Sequence, residues 1–193
     1  MNPTAPPTDP ATFIDQSLHH LGRGVRDRRS GFHIITIATI GANLTPQARS
    51  VVLRGCTATT GKITFHTDRR SPKCTELTTN PRAALLAYAP EAKLQIRAQS
   101  LVTLHTGDEI AQTAWHALSP NARQIYRTAA TPGSPTPTTT PHQLEETNAA
   151  HHFTVAHMQL TRIDVLLLRA DGHHRATGRF VDGSLIEAAF VVA

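Results

Sequence analysis

Apolar and polar residues alternate with a period of two through most of the chain, a pattern typical of β-strands with one buried face. The runs are separated by Gly, Pro, Asn and Asp residues, which favour turns. Turns between C-terminal strands are predicted at Asp171-Gly172 and Asp182-Gly183. Strands are predicted for residues 32–40, 48–58, 63–67, 83–90 and 94–105, and three or four more for the part after residue 153.

Two shorter segments carry the spacing or the end signals of helices instead. Apolar residues from position 11 to about 25 recur at helical spacing, after Asp9 as a plausible N-cap and Pro10 at the first helical position. A second helix is predicted to begin after Ser71, as its N-cap, with Pro72 as its first residue. Both helices are expected to lie at the periphery of the strands.

A third helical segment covers residues 106–129, capped by Thr106 or Asp108 and interrupted near Ser119-Pro120. Seven or eight short strands with few helices between them predict a mainly β fold with peripheral helices, closed as an antiparallel barrel because closure removes unpaired edges. A single domain is expected over residues 11–193, after a disordered lead-in at 1–10 and with an exposed Thr/Pro loop near 129–141.

The net charge, the aromatic content and the lengths of the apolar stretches exclude only a few classes of function. The formal charge of +5 and the pI near 9.9 favour anionic partners, but the chain has no block of five basic residues, and a genome rich in Arg codons gives the same excess. Nucleic-acid binding is disfavoured because only 5% of the residues are aromatic. No apolar stretch approaches the length of a membrane span, and the Pro-rich start is unlike a signal peptide, so a cytoplasmic protein is expected.

Several catalytic and metal-binding classes have no support. The two cysteines, Cys56 and Cys74, form no CxxC pair, and the adjacent histidine pairs point to opposite faces of a strand, so no metal site is predicted. The chain has no HExxH, no GxSxG, no Walker-type loop and no GxGxxG after a strand. No catalytic residue is predicted.

The strand ARSVVLRG carries cations at both ends, Arg49 and Arg54, and the helix that begins SPK carries Lys73 in its first turn. A lysine there is unfavourable against the helix dipole unless an anion lies between them. Solvent, nucleic acid and a small anionic ligand are the alternatives. Arg49 and Arg54 are five positions apart, so they converge only if one lies on a bulge or at a strand end.

The segments RSVVLRG, GKITFHTDRRSPK, LTTNPRAALLAY, LQIRAQS and HHRATGRF, in this order, resemble the pyridoxamine 5'-phosphate oxidase family of FMN-binding split barrels. The resemblance covers residues 32–180. It implies a split β-barrel of antiparallel Greek-key type, a homodimer, and FMN bound in clefts between the subunits. It further implies an FMN-dependent oxidoreductase acting on a small-molecule substrate, without nucleic acid or membrane partners.

By position, Arg49 and Lys73 match residues that hold the FMN phosphate, and residues 51–53 match the strand that lines the flavin. His66 and Thr67 match a Tyr-Thr pair, Gln95 a flavin-contacting Gln, and Arg179 an Arg that reaches FMN. Pro72 replaces an Arg, which removes one phosphate contact. The full set of expected cofactor-binding residues is Arg49, Ser50, Val51, Val52, Leu53, Arg54, His66, Thr67, Ser71, Pro72, Lys73, Gln95 and Arg179.

The substrate half of the pattern is less well matched. Arg175 is retained, but Thr177 replaces the His of the family's Arg-x-His substrate motif. The expected substrate contacts are Arg54, Trp115, Arg123 and Arg175. Three functions stay open: an oxidoreductase with another substrate, a genuine pyridoxamine/pyridoxine 5'-phosphate oxidase, and a non-catalytic FMN-binding protein. Deazaflavin or haem in place of FMN also stays open.

Overall fold

The computed structural model of the chain describes residues 7–136, 149–170 and 172–193. Most of the predicted N-terminal lead-in (residues 1–6), the second part of the predicted Thr/Pro loop (137–141) and Asp171 of one predicted turn lie outside the described residues. Residues 129–136 contain no helix or strand. The strands are β1 Ile34–Ile40, β2 Pro46–Thr57, β3 Lys62–Asp68, β4 Arg82–Ala89, β5 Leu94–His105, β6 Phe153–Leu167, β7 His174–Val181 and β8 Ser184–Phe190.

These strands form one antiparallel sheet in the order β3-β2-β1-β4-β5-β6-β7-β8. Because β3 also pairs with β6, the six strands from β1 to β6 close into a barrel, and β7 and β8 extend the sheet beyond it. The order β3-β2-β1-β4 is that of a Greek key. The predicted barrel of mainly β type is therefore confirmed.

Alternation along the strands places one set of apolar side chains inside the barrel. Ile37 of β1, Leu53 of β2, Phe65 of β3 and Ile96 of β5 are all fully buried there. The opposite positions, such as Leu86, face outward and are partly exposed. The barrel interior is thus a packed core, and any ligand site lies at its ends or on its outer face.

The described residues contain four α-helices, namely α1 Pro10–Arg23, α2 Pro72–Thr79, α3 Glu109–Ala117 and α4 Pro120–Gln124, and the first three of them pack against the strands. The predicted caps are confirmed for α1, where Asp9 accepts the amide of Thr12 at 2.7 Å, and for α3, where Asp108 rather than Thr106 accepts the amide of Ala111. The predicted break at Ser119-Pro120 separates α3 from α4. The described helices are all too short or too polar to cross a bilayer.

The hairpin between β1 and β2 is tighter than predicted. Asn43 and Leu44 adopt φ of 58° and 60°, so the chain reverses within Ala42–Leu44 and Ile40 already pairs with Pro46. The predicted start of the second strand at residue 48 is therefore wrong by two residues. The predicted Asp182-Gly183 turn is confirmed, since both residues have positive φ and join β7 to β8.

Candidate functional site

The two arginines of β2 lie in different environments, although the strand contains a β-bulge. The register between β2 and β3 shifts between Leu53 and Gly55, so Arg54 is the bulged residue. Arg49 lies on the same face as Leu53, at the end of the barrel, and is partly buried. Arg54 is exposed on the outer face. The bulge is present, but the alternation from Arg49 to Arg54 is regular, so the two cations still lie on opposite faces and do not converge on one point.

Arg49 is held by two side chains from other elements. Its Nη2 donates to Oε2 of Glu76 on α2 at 2.9 Å, and its Nη1 donates to the hydroxyl of Thr39 on β1. The Thr39 hydroxyl in turn donates to the Glu76 carboxylate. Sequence reasoning missed both Thr39 and Glu76. The detectable signal was the position of Glu76, three residues after Lys73 and hence on the same face of the helix.

Lys73 lies beside this group in the first turn of α2. Its Nζ donates to the Thr67 hydroxyl at 3.0 Å. Burial lowers the pKa of Lys73 from its usual value, and the nearby charge of Arg49 lowers it further. Two cations from β2 and α2 therefore approach each other closely enough to interact.

Ser71 occupies the N-cap position of α2, but its side chain does not cap the helix. The Ser71 hydroxyl donates to the carbonyl oxygen of Asp68 at 2.7 Å, and the Thr67 hydroxyl lies 3.2 Å from it. The predicted N-cap position of Ser71 and the predicted helix start at Pro72 are therefore confirmed, but the side-chain capping hydrogen bond expected of Ser71 is absent. The first turn of α2 has no side-chain acceptor, so it retains the capacity to bind an anion next to Lys73.

His66, on the outer face of β3, has a buried ring nitrogen without a partner. Within the described residues, Nδ1 of His66 has no hydrogen-bond partner, and the ring packs edge-on against Phe153 at a centroid distance of 4.9 Å. Burial lowers the pKa of His66 to about 4, with smaller contributions from the charges of Arg54 and His157. The imidazole is thus neutral at pH 7 and has one unused donor or acceptor.

An aromatic cluster continues from His66 to the helical segment. Phe153 contacts Trp115 and Tyr126 at centroid distances of 5.5 and 5.1 Å. Burial raises the pKa of Tyr126 to about 12, whereas the charge of Arg54 lowers it. Arg54 therefore lies near both His66 and Tyr126. Tyr126 was not predicted as a site residue, and it lies in a 3-10 helical turn, Ile125–Arg127, directly after α4.

Arg123, the other expected substrate contact on the helices, makes hydrogen bonds within the protein. Its guanidinium donates to the carbonyl oxygens of Trp115 at 3.1 Å and His116 at 2.9 Å. The same group lies 5.3 Å from the centroid of the Trp115 ring. Arg123 and Trp115 thus contact each other, and the arginine satisfies carbonyls at the end of α3.

Arg175 and Arg179 lie on β7, and each is paired with a carboxylate. Arg175 donates to both oxygens of Asp164 on β6, at 3.0 and 2.7 Å, and Arg179 donates to Glu187 on β8. These carboxylates raise the pKa of both arginines. Arg179 also lines an open groove of about 840 Å³ on the outer face of β4 to β8.

The expected cofactor-binding residues fall into two groups within one chain. Ser50 lies on β2, and Thr177 lies between Arg175 and Arg179 on β7. The two strands are not neighbours in the sheet, since β1, β4, β5 and β6 separate them in one direction and β3 and β6 in the other. Gln95 lies on β5, between them. From β2 through β1, β4, β5 and β6 to β7, the residues paired with one another across neighbouring strands are Ser50, Thr36, Leu86, Arg97, Asp164 and Thr177.

Of the residues expected at the cofactor, Val51 and Leu53 point into the core, so only their backbone is available, whereas Ser50 and Val52 lie on the outer face. Pro72 is exposed at the start of α2. Arg49, Thr67, Ser71 and Lys73 form one connected group. Among the described residues, no group of three His, Cys, Asp or Glu side chains is arranged to hold a metal ion.

The sequence profile of "Pyridoxamine 5'-phosphate oxidase, FMN-binding domain" matches residues 14–106, which include β1 to β5, α2 and the Arg49–Lys73 group. The segment of residues 14–106 therefore belongs to the pyridoxamine 5'-phosphate oxidase-like family of FMN-binding split barrels. The matched segment contains the expected cofactor-binding residues from Arg49 to Gln95, whereas Arg179 lies outside it.

Curated members of the family match part of the chain. A pyridoxine/pyridoxamine 5'-phosphate oxidase from Cupriavidus metallidurans is 43% identical over 68 residues, covering 35% of this chain and 31% of its own length. An Arabidopsis thaliana protein named pyridoxine/pyridoxamine 5'-phosphate oxidase 2 is 34% identical over 108 residues, covering 52% and 54%. The chain thus spans about a third to a half of the length of these relatives.

Solved structures share the fold over nearly the whole chain. A pyridoxamine 5'-phosphate oxidase-related, FMN-binding protein from Nostoc punctiforme has a TM-score of 0.75 at 22% identity, covering 97% of this chain and 100% of its own. PhzG from Burkholderia lata, solved with tetrahydrophenazine-1-carboxylic acid, has a TM-score of 0.71 at 15% identity, covering 97% and 94%. At these identities the similarity establishes the fold alone.

Proposed function

We propose that the chain binds FMN and acts as an FMN-dependent oxidoreductase. The observation that carries the proposal is that Arg49 is bound at 2.9 Å to Glu76, one turn along α2 from Lys73, next to a first turn whose N-cap side chain makes no capping hydrogen bond. A phosphate monoester fits this arrangement because it accepts hydrogen bonds from both cations and from helix amides. Membership of an FMN-binding family supports FMN over other anions.

The residues around the proposed phosphate site also suit the rest of a flavin. His66 has an unused, buried ring nitrogen on the outer face of β3, and Ser50 and Val52 lie on the same outer face of the neighbouring β2. A neutral imidazole donates or accepts a hydrogen bond without adding charge. Arg49 and Lys73 would therefore hold the phosphate, and His66 would contact the ring system.

Bound FMN would supply two-electron redox chemistry, and the protein would supply binding, orientation and charge. Arg54 is the cation beside His66 and Tyr126, and within the described residues it has no ion-pair partner. We infer that Arg54 attracts an anionic group of the substrate toward this outer face. Trp115 and Phe153 would form an apolar wall near it.

We further propose a homodimer. The β2 group around Ser50 and the β7 group around Arg175 and Arg179 lie on strands that are not neighbours in the sheet, and the family resemblance implies FMN bound in clefts between two subunits. A second copy would bring the β7 group of one subunit to the β2 group of the other. Several large apolar side chains on the outside of the protein also suit such an interface, namely Ile34, Leu86, Tyr88, Leu101, Ile186 and Phe190.

Light scattering after size exclusion tests the dimer, with two FMN per dimer expected. The cofactor is tested by the visible spectrum of the purified protein and by mass measurement of the released molecule, which distinguishes FMN from deazaflavin and haem. A preparation without flavin that neither binds added FMN nor shows a thermal shift would refute the proposal. Bound FMN that no electron donor reduces would instead identify a non-catalytic FMN-binding protein. A cytoplasmic location remains part of the proposal.

Pyridoxamine 5'-phosphate oxidation is a second candidate, favoured by the names of the curated relatives and by the retained Arg175. Two features count against it: Arg175 is already paired with Asp164, and Thr177 stands in place of the family's His. A direct assay for pyridoxal 5'-phosphate decides between this substrate and another one. Formation of pyridoxal 5'-phosphate in amounts equal to the FMN reduced would establish the second candidate.

A further inference from the structure

Glu76 places a carboxylate inside the proposed phosphate site. Its side chain is 13% exposed and accepts Nη2 of Arg49, which is 22% exposed. Lys73 precedes it by one helical turn, and the charge of Glu76 raises the pKa of Lys73 against the larger effect of burial. The cation pair that would bind a phosphate is thus partly neutralised by a residue of the chain itself.

We propose that Glu76 is an internal counter-anion that competes with the ligand phosphate for Arg49 and thereby sets the affinity of the site for phosphate-bearing flavins. This inference rests on the proposed function, because it concerns the same site. The proposed function assigns Arg49 and Lys73 to phosphate binding. The further inference adds that Glu76 weakens this binding.

The hydrogen bonds of Glu76 allow its charge to be removed without removing the acceptor that positions Arg49. Thr39 is 3% exposed, and its hydroxyl contacts both Arg49 and Glu76. A Gln at position 76 retains an oxygen that accepts the same two donors, so Arg49 stays in place. Only the negative charge is removed, and with it the repulsion of a phosphate in a partly buried site where screening is weak.

The competing expectation is that Glu76 only orients Arg49. In that case the carboxylate strengthens phosphate binding, and Glu76→Gln leaves the affinity unchanged or reduces it. The two views therefore predict opposite directions for one substitution. A flavin without phosphate is the internal control, because it meets neither the attraction of Arg49 nor the repulsion of Glu76.

The test measures the dissociation constants of FMN and riboflavin by quenching of flavin fluorescence, using flavin-free protein at pH 7. We expect Glu76→Gln to bind FMN about tenfold more tightly than the wild type and riboflavin with unchanged affinity. Glu76→Asp keeps the charge, so its FMN-to-riboflavin ratio should stay near that of the wild type. Glu109→Gln, the same change at an exposed position on α3, should alter neither constant.

An FMN affinity that is unchanged or weaker in Glu76→Gln overturns the inference, as does an equal gain for riboflavin. An effect of the same size in Glu76→Asp would assign it to shape instead of charge and would overturn it too. Failure of the proposed function has a different signature, since the wild-type protein would then bind FMN no better than riboflavin.

Discussion

The guanidinium of Arg123 joins α4 to the end of α3 through Trp115, stacking on the indole ring at 5.3 Å and donating to the Trp115 carbonyl oxygen at 3.1 Å. Trp115 is the single tryptophan of the chain, and it packs on Phe153 at the start of β6. The helical segment is therefore fastened to the barrel through one aromatic cluster. Arg123, expected from the family pattern to contact substrate, is occupied by this structural role.

Substituting Arg123 by Ala should loosen this cluster. The change removes two hydrogen bonds from a charged donor and one cation–π contact, so we expect a loss of about 1–2 kcal/mol in the free energy of unfolding. Trp115 fluorescence should shift to longer wavelength because the indole gains contact with water. Urea denaturation and emission spectra measure both. Arg28→Ala, in an exposed loop, should change stability by less than about 0.5 kcal/mol, and an unshifted emission in Arg123→Ala would contradict the assignment.

Lys73 should matter for FMN and not for riboflavin. Lys73→Gln removes the charge in the first turn of α2, and we expect the dissociation constant of FMN to rise by about ten- to a hundredfold, with riboflavin unaffected. Added salt should weaken FMN binding to the wild type more than to the variant. Lys62→Gln, on the neighbouring β3, serves as the matched control. Equal losses for both flavins would mean that Lys73 supports the fold and not the phosphate.

His66 should make the protein less stable in acid. Its folded-state pKa of about 4 lies below the ordinary value of 6.5, so the unfolded chain binds the proton more readily. The stability contributed by the neutral ring is complete above pH 6.5 and is lost as the pH falls toward 4. His66→Phe keeps the aromatic packing on Phe153 but does not titrate.

Urea denaturation of both proteins between pH 7 and 4 measures the effect of His66 as a difference, because other titrating groups are common to the two. We expect His66→Phe to gain on the order of 2 kcal/mol over the wild type across this range, less than the full linkage value because the ring is only partly buried. Parallel pH profiles for the two proteins would show that the imidazole protonates without penalty.

The order of elements was predictable from local pattern because each strand carries its own alternation and each turn its own chemistry. Asp9-Pro10 and Ser71-Pro72 marked helix starts, and Asp182-Gly183 marked a hairpin. Ser71 has the predicted N-cap position but not the expected capping hydrogen bond. Its hydroxyl donates to the Asp68 carbonyl oxygen and lies beside the Thr67 hydroxyl, and this orientation of the side chain has no sign in the sequence.

Charge partners were the least predictable part of the site. Arg49, Arg175 and Arg179 were recognised as functional cations, but Glu76, Asp164 and Glu187 were not recognised as their partners. Each of these pairs joins two different elements across the fold. Pairing of this kind depends on strand register and helix placement, which a pattern of single residues does not specify. The sequence pattern thus overstated how much unpaired charge Arg49, Arg175 and Arg179 offer, because each has a carboxylate partner.

The glycines at the end of α1 provide a test of the fold that is independent of any ligand. A Cβ at Gly24 would lie 2.6 Å from the backbone carbonyl of Phe32, which is fully buried. At Gly22, two residues earlier and inside the helix, the nearest atom to a Cβ is Cys56 Cβ at an ordinary 3.6 Å. The same substitution, glycine to alanine, therefore meets a close backbone contact at position 24 and ordinary van der Waals contact at position 22.

Gly24→Ala should destabilise the protein by about 1–3 kcal/mol, because the Phe32 backbone must move to relieve the contact. Gly22→Ala should stabilise it by about 0.5–1 kcal/mol, because alanine loses less conformational entropy than glycine in a helix. Urea denaturation of both variants gives the two signs directly. If Gly24→Ala proved as stable as Gly22→Ala, α1 would not pack against the 24–33 segment as described, and the wall that α1 forms against β2, β7 and β8 would have to be placed differently.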